Sequence, residues 1–143
     1  MSKSNTFEND WLKLIFNGTG IANLADNASS SPLTHLYVAL HTADPGEDGT
    51  QSTNEVNYSG YARVAVARDS SGWTVTGNSV SPTNAIEFGE MVGGTAGTAT
   101  YVTVGTASTG PGKVLYRGVL TPSVAYNIGV VPRIRTTSTI TED

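Results

Sequence analysis

From residue 34 to the C-terminus, short apolar runs of period two alternate with turn signals at intervals of about 8–15 residues. That rhythm limits the fold more than any other feature. A parallel sheet needs long crossover connections, usually helices, and these turns leave no room for them. Residues 36–66 show the pattern. Leu36, Val38 and Leu40 share one strand face, and His35, Tyr37 and Ala39 share the other. Asp44-Pro45-Gly46 then turns the chain, with Pro fixing the backbone and Gly releasing it. Further strands read at 61–68, 73–76, 84–88, 100–104, 114–120, 130–135 and 138–140. Ser70-Ser71-Gly72, Gly77-Asn78, Gly93-Gly94 and Gly110-Pro111-Gly112 punctuate them. The expected fold class is all-β: a jelly-roll-like antiparallel β-sandwich with a short N-terminal helix and linker arm.

The helix reads at residues 5–16. Asn5 with Glu8 three positions later fits a capping box, and Asn17-Gly18 supplies the stop. Phe7, Trp11, Leu14 and Ile15 recur at helical spacing and form one apolar stripe. The stripe either packs on its own domain or docks the helix onto a neighbouring subunit. Residues 19–33 are a small-residue linker, with Ser29-Ser30-Ser31 ahead of Pro32. The expected organisation is a helical arm and linker over 1–33 and a β-sandwich domain over 34–143.

Charge narrows the partners. Only 14% of residues are charged, against about 25% in an average soluble domain. A surface of Thr, Ser, Asn and Gly suits a sandwich or a face covered by a partner. Twelve acids against eight bases give a net charge of −4, and no Lys/Arg run exists to track phosphates. Direct nucleic-acid binding is not expected. The chain has no cysteine, which removes disulfides and thiolate chemistry and leaves stability to packing and oligomerisation. No apolar run is long enough to cross a membrane, and the N-terminus has no signal-peptide pattern. Asn17, Asn27 and Asn57 match the glycosylation pattern, as chance allows in a chain this rich in Asn, Ser and Thr.

No catalytic constellation is expected. His35 and His41 share a strand face but lie roughly 20 Å apart, too far for one metal. Asp44, Glu47 and Asp48 cluster on one loop, without the alternating ligands of a calcium loop. They read as a solvated acidic loop or as a contact to a basic neighbour across a subunit boundary. Gly18-Thr19-Gly20 is a helix end rather than a phosphate loop, and no Gly-x-Ser-x-Gly elbow or carboxylate pair exists. Trp73 is expected in core or rim packing. Arg63 and Arg68 point to opposite strand faces, and with Arg117, Arg133 and Arg135 they suit bidentate contacts across interfaces. The chain reads as a non-enzyme with no cofactor and no metal. Its candidate interface residues are Phe7, Trp11, Leu14 and Ile15 on the helix, and Asp44, Glu47 and Asp48 on the loop.

Several segments carry a resemblance. Leu36-Tyr37-Val38-Ala39-Leu40-His41-Thr42-Ala43-Asp44-Pro45-Gly46-Glu47 resembles a family of small tailed-phage virion proteins. Tyr58-Ser59-Gly60-Tyr61-Ala62-Arg63, Gly72-Trp73-Thr74-Val75 and Asn84-Ala85-Ile86-Glu87-Phe88 continue it. So do Gly105-Thr106-Ala107-Ser108 and Val114-Leu115-Tyr116-Arg117-Gly118. Relatives of this kind are labelled tail-fibre proteins. The chain is also similar to capsid cement proteins of short-tailed phages, including that of a Bordetella phage. The resemblance implies a jelly-roll-like body on the outside of an HK97-type shell, bound to the major capsid protein as a dimer or trimer and stapling neighbouring capsomers. The alternative it implies is a tail-fibre or host-receptor-binding role. No coiled-coil heptad or long repeat marks a fibre shaft.

Overall fold

The structure is a computed structural model that describes residues 3–21, 25 and 32–143. The predicted linker lies largely outside these residues; within it, Ile21 and Ala25 form an antiparallel bridge. One helix, α1 (Asn5–Phe16), precedes β1 (His35–His41), β2 (Val64–Ala67), β3 (Trp73–Thr76), β4 (Ser79–Pro82), β5 (Ile86–Glu87), β6 (Gly97–Gly105), β7 (Val114–Tyr126), β8 (Arg133–Ile134) and β9 (Ile140–Thr141). The strands form three sheets, ordered β2-β1-β6-β7, β3-β4-β9 and β5-β8. The β1–β6, β6–β7, β3–β4 and β4–β9 pairs are antiparallel. The fold is all-β with a short N-terminal helix. The chain divides into two compact units: Met1–His35, Val66–Ile86 and Ile134–Asp143 make the first, and Leu36–Ala65 and Glu87–Arg133 make the second.

In the first unit, α1 has the expected bounds but a different cap. Ser4 is the N-cap, held extended at φ −76° and ψ 152°, and its hydroxyl accepts from the Phe7 amide at 3.3 Å. Asn5 is already helical, so it does not cap. The inward face is also turned from the predicted stripe. Glu8, Leu12 and Phe16 are buried at i, i+4 and i+8, and Phe16 meets Trp73 edge-on at 4.7 Å. Phe16 faces inward because the ring of Trp73, itself buried, offers an apolar surface there, and Leu12 one turn earlier is buried on the same side. Phe7, Leu14 and Ile15 are half-buried, and Trp11 is 37% exposed.

Arg68 closes the other end of the helix. Its Nε and Nη2 donate to the carbonyls of Ile15 and Leu14 at 2.7 and 2.5 Å, and Nη1 donates to Leu33 at 3.3 Å. A cation on the last carbonyls satisfies orphan acceptors and offsets the helix dipole. Asn17 adds a bond from Nδ2 to the Trp73 carbonyl at 3.0 Å. β3 and β4 form the hairpin beneath, and β9 pairs with β4 through Val80 and Ile140.

In the second unit, β1 runs against β6 from Tyr37↔Gly105 to His41↔Tyr101. Leu36, Val38, Leu40 and Val104 are buried on one face of this pair. Tyr58, Tyr61, Phe88 and Tyr126 build an aromatic cluster, with Tyr61 stacked on Phe88 at 6.0 Å and Tyr58 against Tyr126 at 5.1 Å. β7 runs beyond Leu120, the expected end, and through Pro122 to Tyr126. A proline without an N–H is tolerated because β7 is the last strand of its sheet.

The placement of α1 yields a contrast. Leu12→Ala is expected to lower the unfolding free energy by about 2–5 kcal/mol, as for a buried leucine. Trp11→Ala is expected to cost less, about 1–2 kcal/mol, because Trp11 is only partly covered and packs beside Phe7. Denaturation followed by circular dichroism measures both, and equal losses would contradict this orientation of the helix.

Candidate interaction surfaces and the loop clamp

The chemistry-bearing side chains of the second unit converge on two loops, residues 42–63 and 106–113. Arg63 stands at their junction with its side chain only 3% exposed. Its Nε and Nη2 grip Glu55 at 2.8 and 2.7 Å. Nη1 donates to the Ala107 carbonyl at 2.9 Å, and Nη2 also reaches the Gly110 carbonyl at 2.7 Å. The planar fork matches the carboxylate on one side and the loop carbonyls on the other, which a lysine cannot do. The hydrogen bond to Glu55 raises the affinity of Arg63 for its proton. The Tyr61 hydroxyl donates to Glu55 at 3.0 Å and accepts from the Leu40 amide at 3.0 Å, and burial pushes its pKa well up.

Gln51 is a second, fully buried tie. Its Nε2 donates to the Tyr37 carbonyl and its Oε1 accepts from the Ala107 amide, each at 3.0 Å. Gly105 and Gly112 flank this amide so closely that a Cβ on either would overlap it. Glycine is required there for space.

His41 is the third tie. Its Nδ1 lies 2.8 Å from the Thr53 carbonyl, which can only accept, so Nδ1 carries the proton. Nε2 then accepts from the Thr103 hydroxyl at 2.8 Å. The expected half-buried strand surface is instead covered at this end, because loop 42–55 closes over it; His35 remains exposed. Burial lowers the pKa of His41 below its ordinary 6.5.

The acidic loop meets a cation of its own chain. Arg117 Nη1 contacts both Asp44 oxygens at 2.9 and 2.8 Å, and Nη2 contacts Glu47 at 3.3 Å. Asp48 stays exposed. No metal-holding group of three His, Asp or Glu side chains occurs among the described residues. The expected intersubunit arginines are thus largely engaged internally: Arg63 and Arg117 on loops, Arg68 on α1. Arg133 forms an exposed pair with Glu87 at 2.9 Å. Sequence reading did not find Gln51, Thr53 or Thr103. The signal for Gln51 was the pair Gly105 and Gly112, whose missing side chains make its niche.

Apolar side chains keep some exposure at two places. On α1, Phe7 and Trp11 lie together, with ring centres 6.4 Å apart. In the second unit, Val92, Ile128 and Val131 are exposed around a crossing where the Met91 amide donates to Val130 and the Gly129 amide to Met91. A shallow cleft of about 370 Å³ lies between Tyr58, Tyr61 and residues 108–110. The Arg63, Glu55 and Tyr61 groups on its walls already bond one another.

The His41 geometry fixes a sign for acid sensitivity. Its folded pKa lies below the unfolded value, so the unfolded chain binds more protons between the two. The contribution is whole above about pH 6.5 and declines as pH falls toward the folded pKa. The stability advantage of the wild type over His41→Gln, measured by denaturant titration, is expected to shrink from pH 7.5 to pH 5. An advantage that grows on acidification would contradict the neutral buried tautomer.

No curated protein matches the chain. A family model described as Podophage GP4 fiber I protein gp80 matches residues 2–141. That match spans both units and nearly every residue discussed above. The chain therefore belongs to the podophage GP4 fiber I protein gp80 family and is a phage virion structural protein.

Proposed function

We propose that this protein is a non-catalytic decoration subunit that binds the outside of an assembled capsid shell and stabilises contacts between capsomers. The observation that carries the reading is the partly exposed Trp11 beside the half-buried Phe7, on a helix latched to its unit by Arg68. Aromatic anchors dominate interface energies, and a rigid mount lowers the entropy lost on docking. The clamped loops and sparse surface charge agree with a body that binds rather than reacts. A protein that binds only the assembled shell stabilises it by mass action. The major capsid protein is the partner this reading requires.

The family description as a fibre protein favours a second reading, a tail-fibre or receptor-binding role. Cryo-electron microscopy of virions carrying a labelled copy separates the two. Label spread over the shell is expected, and label confined to the tail would overturn the decoration reading. Removing residues 1–17 is a poor test of anchoring, because it uncovers Trp73. Trp11→Ala is the better one. It is expected to weaken binding to shells stripped of the protein by about 30-fold, roughly 2 kcal/mol. Unchanged affinity would remove Trp11 as the anchor.

A further inference from the structure

His41 is fully buried, and its ring has no room for a second proton. The Nδ1 proton goes to the Thr53 carbonyl at 2.8 Å, and Nε2 accepts from the Thr103 hydroxyl at 2.8 Å. A proton added to Nε2 would meet the proton of that hydroxyl. Thr103 is fully buried too, and its hydroxyl has no second partner among the described residues, so turning it away would orphan a buried donor. The charges around the ring do not offset this. Glu55, its backbone bridge partner on the loop, favours the cation and Arg63 opposes it, and these two are paired with each other. On β6, Tyr101 is the register partner of His41; beyond Thr103, Arg117 on β7 is already held by Asp44 and Glu47. An imidazolium buried without a counter-ion in contact is costly.

The cover over the ring is short and is anchored at both ends. Thr53 lies between Gln51 and Glu55. The Gln51 side chain joins Tyr37 to Ala107, and its backbone amide donates to the Gly112 carbonyl at 2.9 Å. Glu55 is gripped by Arg63. Neither the amide of Gln51 nor the guanidinium of Arg63 titrates in mild acid. Between these anchors Asn54 is the only non-glycine residue at positive φ among the described residues, at +56°, a conformation that costs backbone energy. Its carbonyl accepts from the Thr42 amide at 2.9 Å, and its Nδ2 donates to the Asp44 carbonyl at 3.2 Å. We propose that residues 52–54 form an acid-opened flap: as His41 takes its second proton the flap lifts off the ring, hinged at Gln51 and Glu55, while the rest of the unit stays folded. The ring reaches water only in the open form. That form therefore binds more protons, and falling pH favours it. Lifting also releases Asn54 from its left-handed backbone. The flap is independent of where on the virion the protein sits.

Hydrogen exchange of the whole chain, read residue by residue by NMR, tests the flap. From pH 7.5 to pH 5, with the intrinsic pH dependence of exchange divided out, the Thr42 amide is expected to lose protection by about 10-fold or more. The amides of Gln51 and β6 are expected to keep theirs. In His41→Gln, whose side chain takes no proton, Thr42 is expected to be equally protected at both pH values. In the wild type alone, the His41 Cε1 proton signal is expected to titrate over the pH range in which Thr42 loses protection. Unchanged Thr42 protection at pH 5 overturns the proposal, and so does ring titration without that loss. An equal loss in His41→Gln also overturns it, as does a loss shared by Gln51 and β6, which would be unfolding of the unit.

Discussion

The ion pair between Arg63 and Glu55 is the constraint on which the second unit depends. A chain with no cysteine must hold its loops closed by other means, and the described residues bring no metal site to do it. Here one guanidinium, 3% exposed, joins the 52–55 turn to the carbonyls of the 107–110 loop. A charge buried to that degree is stable only when its hydrogen bonds are nearly all made. Glu55, Ala107 and Gly110 make them, and Tyr61 fixes Glu55 in turn. Gln51 and His41 repeat the device, Gln51 joining Tyr37 of β1 to Ala107, and His41 joining Thr53 to Thr103 of β6. The loops are therefore part of the rigid body.

That arrangement ties up several charged and titratable side chains within the chain itself. Glu55, Asp44 and Glu47 neutralise cations of their own chain, and His41 is held neutral between Thr53 and Thr103. Among the large apolar side chains, Trp11, Val92, Val119 and Ile128 keep part of their surface exposed.

Much of the fold was legible locally. The bounds of α1 and β3 follow from the helical stripe and from the Trp73–Thr76 alternation, both of which reside within a few residues. The N-cap moved by one residue because Ser4 and Asn5 are both good caps, and only backbone geometry chooses between them. β4 was hidden, since Ser79–Pro82 carries a single apolar residue, Val80, and its strand character comes from pairing with β3 and β9. The clamp was not legible. Arg63 is 44 residues from Ala107, and Arg117 is 73 from Asp44. Charge type alone made both look like surface groups awaiting a partner, and only the fold supplies those partners from the same chain.

Native-state hydrogen exchange tests the central claim, that polar clamps make the loops rigid, most directly. The Gln51, Val56 and Ala107 amides, each donating within this loop system, are expected to exchange as slowly as those of β1 and β6 in the wild type. In a folded Arg63→Ala chain they are expected to exchange markedly faster, while β1 and β6 keep their protection. Fast exchange of these amides in the wild type, or rates unmoved by Arg63→Ala, would contradict the account.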